Sequence, residues 1–457
     1  MRGLLKSDNP TKTLITDCGF AGVVKNQYGR VISLVKQHEK WFSESLPLVA
    51  SENVASRTVR QVLSSDLGHR YAEGWPGERV YAGCKFIDQI ELEAIALAKK
   101  LFNAEFADVR PVSGACANLA VYSTLSDPGD TMMALSIPNG GHISAGKKEF
   151  SGTAGLVHGL DIEYFVFDKE NMNIDVDATK KKLKSIQSAG KKLKIVMFGG
   201  SLFLFPHPVK DLAEAVLEVG ATPCYDAAHV AGLIAGGKFQ DPLGEGAHVM
   251  SFSTHKTLFG PQGGAVVSKA QYGEALKKSV FPGTSSNHHL HNVAAKALTF
   301  TEFLKFGSRY AKDVTSNARV LAETLAQKGE NVLGENHGYT LSHQVALDVT
   351  KYGDGGLVEK KLESMNIIAN RQLLPGDLQA GRHYTNPGGV RLGVSELTRL
   401  GMGKSEMKEV ADILHVALTT DKVELVKKRV RGLRRLHQRV KYSFDNSPAY
   451  FYARPGS

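Results

Sequence analysis

Three short apolar runs, Lys194–Phe198, Ala221–Tyr225 and His248–Phe252, read as buried strands, and a helical stretch at Leu212–Val219 separates the first two. Strands with no polar face, separated by helical segments, require a mostly parallel sheet covered on both sides, because short hairpins cannot join parallel neighbours. That sets the class as α/β. It also sets where chemistry can sit, since side chains at the carboxyl ends of such strands converge on one crevice. The three runs end in Gly199-Gly200-Ser201, in Asp226-Ala227-Ala228-His229 and in Ser253-Thr254-His255-Lys256.

The third ending lies in Val249–Gly264, VMSFSTHKTLFGPQGG, where a strand stops at a lysine and a Gly/Pro-rich turn follows. A lysine and an aspartate at the ends of neighbouring strands are what pyridoxal phosphate requires. The amine holds the cofactor as a Schiff base, and the carboxylate keeps the pyridine nitrogen protonated so that the ring accepts electrons. Taken alone, Lys256 reads as well as a solvated loop lysine. Its shared location with Asp226, His229 and Ser201 separates it from that reading.

Upstream, residues 1–30 read as an arm, and Val31–Phe42 as a helix that leads to LPLVASEN. The stretch Asp66–Gly83, DLGHRYAEGWPGERVYAG, is too polar and glycine-rich to bury itself, so its clustered Tyr71, Glu73, Arg79 and Tyr81 suggest a site. Asp88–Leu101 has helical periodicity. Val112-Ser113-Gly114-Ala115 opens a further helix, and free N–H groups at such a start suit an anion, although Ser is also an ordinary cap. His142 lies in a glycine-rich loop, SIPNGGHISAG. Helices are expected over NVAAKALTFTEFLKFG and RVLAETLAQKG, then a second α+β unit with strand-like QVALDV and Arg391 on a short strand, where a guanidinium suits a carboxylate. His288, His289 and His291 lack a nearby carboxylate or thiol, which argues against a metal site.

The net charge of +10 is concentrated partly in KKRVRGLRRLHQRVK, but Val423, Val426, Val430, Leu433, Leu436 and Val440 recur there at helical spacing. That pattern predicts an amphipathic helix with a solvated basic face and disfavours nucleic acid as a partner. No apolar stretch has membrane-spanning length, the N-terminal residues lack a secretory pattern, and the 4 cysteines are scattered. A reduced, cytoplasmic setting is expected.

With these pieces in place, the chain from about Val31 onward resembles the serine hydroxymethyltransferase family. The resemblance rests on LPLVASEN, HRYAEGWPGERVYAGC, PVSGACANLAVY, NGGHIS, DAAHVAGLIAGG, STHKTLFGPQGG and GGVRLGVSELTRLGM, in that order. GGSLFLFPHP, FPGTSSNHHLH, TLSHQVALDV and KYSFD resemble archaeal members. The resemblance implies a fold-type I (aspartate aminotransferase-like) α/β enzyme with a mostly parallel central sheet and a smaller α+β C-terminal domain. The expected division is an arm and helix over 1–55, a large cofactor-binding domain over 56–305 and a small domain over 306–457.

The same resemblance implies roles. Lys256 would carry pyridoxal phosphate covalently, Asp226 would pair with the pyridine nitrogen, His142 would stack on the ring, and His229 and Ser201 would lie near its hydroxyl. Ser113, Gly114, Ala115 and His255 would hold the phosphate, completed by the Gly283 region of a partner subunit. Arg391, Ser51 and Tyr81 would bind the amino acid, with Tyr71 and Glu73 arriving from the partner of a homodimer. Glu73 would act as general acid/base. Gly141, Ile143 and Gln372 would meet a reduced pterin, tetrahydromethanopterin or tetrahydrofolate, as one-carbon carrier between serine and glycine. Val80, Phe203, Phe259 and Gln262 depart from the common family pattern, as does Ala115 in the phosphate loop. A threonine aldolase or transaldolase on the same scaffold is the alternative, and nucleic-acid binding by the basic helix a minor one.

Overall fold

The computed structural model describes residues 20–450. Its centre is a seven-stranded sheet built from β1 (Phe106–Asp108), β2 (Thr131–Ala134), β3 (Asp161–Tyr164), β4 (Leu193–Gly199), β5 (Thr222–Asp226), β6 (Val249–Ser253) and β7 (Gly264–Ser268). The order across the sheet is β1-β7-β6-β5-β4-β2-β3. Strands β3 to β6 and β2 run parallel, and only β7 is antiparallel to its neighbours β6 and β1. All five residues of β6 and of β7 are buried, which is why their sequences lack the alternation of a half-exposed strand.

A second sheet is wholly antiparallel, with β8 (Asn331–Val332), β9 (Gln344–Asp348), β10 (Asn370–Gln372) and β11 (Gly389–Gly393) in the order β8-β9-β11-β10. The longer helices include α1 (Phe20–Ser43), α2 (Lys85–Phe102), α3 (Gly114–Leu125), α4 (Leu290–Gln327) and α5 (Val423–Leu436), of which α3 and α4 reach the strand ends. The fold is the α/β class expected, with the polar strand ends on one edge of the central sheet.

Four local expectations need correction. Residues 20–30 are not an arm, since α1 begins at Phe20; residues 1–19, and Cys18 among them, lie outside the described residues. The two helices expected between residues 292 and 329 are one 38-residue helix, α4, which runs through the expected boundary at 305–306. Asp66–Gly83 is not an unstructured loop: it holds a 3-10 turn at Asp66–His69 and a small antiparallel ribbon pairing Gly74–Trp75 with Glu78–Arg79. In α5, Val426, Val430 and Leu433 face inward as expected, but Leu436 at the helix end is 79% exposed, and Arg434 is buried, donating to the His437 carbonyl (2.6 Å) and the Tyr450 hydroxyl (3.1 Å).

His288 is bonded to Glu91 at 2.8 Å, and Arg79 reaches the same carboxylate at 2.9 Å. No cluster of three metal-ligating side chains occurs among the described residues, and none of the described helices is long and apolar enough to cross a membrane.

Candidate active site

Strands β4, β5 and β6 are neighbours, with Asp226 opposite Gly199 on one side and Ser251 on the other. The chain leaves β6 at Ser253 and turns under itself, the Gly260 N–H donating to the Thr254 carbonyl at 2.8 Å. This turn places Lys256 in the crevice rather than in solvent; its side chain is 8% exposed. Asn53, from the SEN segment, donates to the Lys256 carbonyl at 2.8 Å and anchors the turn from across the sheet edge.

Burial pushes the Lys256 ammonium down to about 8, with Asp226 opposing and the Arg391 charge adding to the shift. Asp226 is itself buried. Its Oδ1 accepts from the Ala228 N–H and its Oδ2 from Asn118 Nδ2, each at 2.9 Å. Asn118 sits in α3 with its amide oriented by two serines: Nδ2 also donates to Ser144 Oγ at 2.9 Å, while Oδ1 accepts from the Ser251 hydroxyl. A carboxylate so held keeps one orientation and retains lone pairs for a further donor.

Two histidines border this pair. His142 Nδ1 is 2.7 Å from Ser144 Oγ and accepts from the Ser144 N–H at 3.1 Å. Burial, then the Lys256 and Arg391 charges, lowers its basicity against the pull of Asp226. His229 lies at the end of the β5 exit turn, held well below its ordinary value by burial and by the same two cations. Arg391, on β11, donates through Nη1 to the Ser201 carbonyl at 2.5 Å, and its Nε is buried with no partner. Burial holds its guanidinium down to about 10, so it stays charged at neutral pH. The LPLVAS segment lies against β11, where the Gly393 N–H donates to the Leu48 carbonyl at 2.7 Å, which brings Ser51 to the Arg391 strand.

Ser113 caps α3, its Oγ accepting from the Cys116 N–H at 3.1 Å. Gly114 has a packing reason to be glycine, because a Cβ there would stand 2.5 Å from Ser253 Oγ. Ala115 follows in the first turn of the helix. His255 approaches from the β6 turn; burial and the adjacent Lys256 lower it to about 4, and its Nδ1 is buried and unpartnered. Beneath, Lys296 of α4 donates to the carbonyls of Val109 (2.7 Å), Pro111 (3.2 Å) and Gly264 (2.9 Å) and so ties β1 and β7 together below the loop.

Other candidates lie apart from this cluster. Tyr71 and Tyr81 are 49% and 45% exposed, with rings edge to face at 5.1 Å, and Glu73 lies between them in sequence. Gly283 belongs to the Ser279–Thr284 segment, whose Ser279 hydroxyl meets Thr124 at the end of α3 remote from Ser113. Gly141 and Ile143 flank His142, and Gln372 ends β10. Ile143 borders a cavity of about 560 Å³ whose walls include Ile137, Phe150, Tyr164, Leu373 and Tyr384.

Asn118, Ser144 and Gln344 were not singled out by the sequence, although each bonds a residue of the cluster. The available signal was a polar amide where its element calls for an apolar residue: Asn118 in the first turns of α3, and Gln344 opening an apolar strand. Of the departures from the family pattern, Phe259 is buried with the Arg399 guanidinium 3.6 Å above its ring, and Phe203 packs on His207. Both are packing residues here.

The family model described as "Serine hydroxymethyltransferase" matches residues 24–414. The chain is 60% identical to the serine hydroxymethyltransferase of Cenarchaeum symbiosum over 437 residues, 95% of this chain and 99% of that one. It is 57% identical to that of Nitrosopumilus maritimus (94% and 98% covered) and 50% identical to that of Methanopyrus kandleri (91% and 95%). The chain belongs to the serine hydroxymethyltransferase family. It is accordingly a fold-type I, pyridoxal-phosphate-dependent hydroxymethyltransferase acting on serine and glycine, and its family uses a folate-type one-carbon carrier.

Proposed function

We propose that the cluster around Lys256 is the cofactor and amino-acid site of this serine hydroxymethyltransferase, and that the carrier is a reduced pterin bound beside Ile143. The observation that carries the first part is the pairing of a buried, weakly basic Lys256 with a buried, hydrogen-bonded Asp226 near the ends of adjacent strands, ringed by unpartnered polar atoms of His255 and Arg391. These residues fit pyridoxal phosphate. Lys256 would hold it covalently and Asp226 would meet the pyridine nitrogen. His142 would lie on a ring face, with His229 and Ser201 at the ring hydroxyl. Ser113, Gly114, Ala115 and His255 would take the phosphate. When bound, the cofactor supplies an electron sink for the carbanion formed at the substrate Cα.

The protein's own groups do the rest. The lowered basicity of Lys256 leaves a far larger fraction of the amine unprotonated near neutrality than an ordinary lysine has, ready to bond the cofactor's aldehyde carbon. Uptake of pyridoxal phosphate by cofactor-free enzyme should therefore rise with pH and level off with a midpoint near 8, read as growth of the visible band. A midpoint near that of a free lysine would contradict the assignment. Arg391, with Ser51 beside it, would grip the substrate carboxylate through the face that carries its free Nε. For Arg391→Lys, loss of the fork should weaken serine and glycine binding by roughly 10–100-fold, the worth of a charge-assisted hydrogen bond. Spectral titration with each amino acid measures this, and unchanged affinity would refute the role.

Glu73 would move the proton on the serine hydroxyl or the carrier's one-carbon unit. Tyr71 and Glu73 would enter a site from the partner subunit of a homodimer, and Tyr81, whose ring packs on Tyr71, would lie near the bound amino acid. Supporting a second copy, α1 leaves Val31, Leu34 and Val35 at 59%, 52% and 41% exposure along one side. Gly283 would complete the partner's phosphate cup. Glu73→Gln should reduce carrier-dependent serine cleavage by about 10²–10⁴-fold, as for loss of a general acid/base, and affect carrier-free cleavage of 3-phenylserine far less. Equal losses would argue for the aldolase reading.

For the carrier, Gly141, Ile143 and Gln372 would border the pterin, with its aryl tail in the apolar cavity of about 560 Å³. Lys147 over Tyr164 and Arg371 over Tyr384 put cations near that cavity, suited to an anionic tail end. Serine cleavage assayed in parallel with tetrahydromethanopterin, tetrahydrofolate and no carrier identifies the cosubstrate. A rate independent of either pterin would sink this reading. As to organisation, an N-terminal arm and helix (1–55), a large domain (56–305) and a small domain (306–457) would share α4 across the second boundary, and the location would be cytoplasmic.

A further inference from the structure

Gln344 opens β9 in the second sheet, and its side chain is fully buried against the exit of β4. The direction of its amide is determined by its neighbours. The Phe203 N–H donates to Oε1 at 2.6 Å, so Nε2 must be the atom facing the Ser201 carbonyl (2.9 Å) and His229 Nδ1 (3.0 Å). The two N–H bonds of the amide thus meet two acceptors. A ring nitrogen that accepts a hydrogen bond carries no proton. The Ser201 carbonyl uses its second lone pair on Arg391 Nη1, so one side chain bonds His229 and braces the carbonyl that holds Arg391. The His343 ring lies on His229 at 5.8 Å between centroids, tilted 21°, and limits any other rotation. Among the described residues nothing is bonded to His229 Nε2.

We propose that Gln344 is a positioning residue that holds neutral His229 as the Nε2–H tautomer, so that the ring presents a donor to the ligand in the site. The opposite tautomer would set the Nδ1–H against the Gln344 Nε2–H, two donors facing each other. Burial beside Lys256 and Arg391 keeps the ring uncharged. The claim that this donor meets the cofactor rests on the site reading above; the claim about the tautomer does not.

Nitrogen-15 NMR of histidine-labelled, cofactor-free full chain tests the tautomer directly, with the His229 signals assigned by their loss in His229→Asn. Wild type should show Nδ1 as the unprotonated nitrogen and Nε2 as the protonated one. Gln344→Met keeps the shape and removes the donor, and should lose that single signature in favour of a mixture. Gln344→Glu, nearly isosteric and so available if the methionine variant fails to fold, offers a carboxylate and should draw a proton onto Nδ1. Unchanged His229 nitrogen shifts in a folded variant, or a wild-type ring protonated at Nδ1, would overturn the proposal. Adding pyridoxal phosphate should then displace the visible band of the folded variant relative to wild type at fixed pH. A changed tautomer with an unmoved band would uphold Gln344 as the residue that sets His229, and would instead remove His229 from the cofactor's surroundings.

Discussion

Lys256→Ala is expected to remove serine cleavage almost completely, by about 10⁴–10⁶-fold, as for deletion of a covalent catalytic nucleophile. The variant should also fail to develop the visible band of covalently held pyridoxal phosphate. The expectation follows from position. Lys256 is the lysine brought to the strand ends with its charge disfavoured by burial and its backbone fixed by Asn53. Lys296, also buried, is saturated by the three carbonyls it holds. Alanine at 256 removes an ammonium whose burial is costly, so the fold should survive, and circular dichroism separates loss of chemistry from loss of structure. A wild-type visible band in the variant would place the covalent site elsewhere.

Asp226→Asn should also be severe, for a reason legible in the hydrogen bonds. Both carboxylate oxygens accept, one from the Ala228 N–H and one from Asn118. Asparagine must turn its NH₂ toward one of those donors. Flipping Asn118 to relieve the conflict would require the Ser251 and Ser144 hydroxyls to reverse their donor and acceptor roles as well. The substitution therefore removes the charge and leaves a mismatched buried donor, worth about 1–3 kcal/mol of stability. On catalysis the expected loss is roughly 10²–10³-fold, the range for removing a group that stabilises charge in the transition state. Turnover of serine and a thermal melt of the cofactor-free protein measure the two effects, and a near-wild-type rate would remove Asp226 from the mechanism.

The crevice was legible in the sequence because its residues sit at strand ends, and strand ends are local features. Asp226, His229 and Lys256 follow apolar runs whose lengths and composition define them. Asn118 and Gln344 were not legible, because their partners Asp226 and His229 lie 108 and 115 residues away, and nothing local announces such a bond. The break expected near residue 307 has a different cause. Gly307 there reads as a helix end, yet α4 passes through it unbroken. The glycine makes room for its surroundings: a Cβ on Gly307 would strike the Phe303 ring one turn earlier in the same helix, and the Gly307 carbonyl lies close enough that Gly236 must lack a side chain as well. Close approach and chain termination call for the same residue, and a sequence does not distinguish them. The cavity beside Ile143 was invisible for a third reason, since residues 137–164 meet residues 373–384 only in the folded chain.

The continuity of α4 bears on how the crevice can open. One end of the helix anchors the loops under Ser113 through Lys296, while its later turns bury Val314, Ala318, Leu321 and Leu325. No loop separates those two stretches, so the helix acts as an axle shared by both halves of the molecule. The two halves therefore have no loop at residues 305–306 about which to swing. A protease seeking an exposed seam near residue 305 would find continuous helix there, and the two halves should melt together.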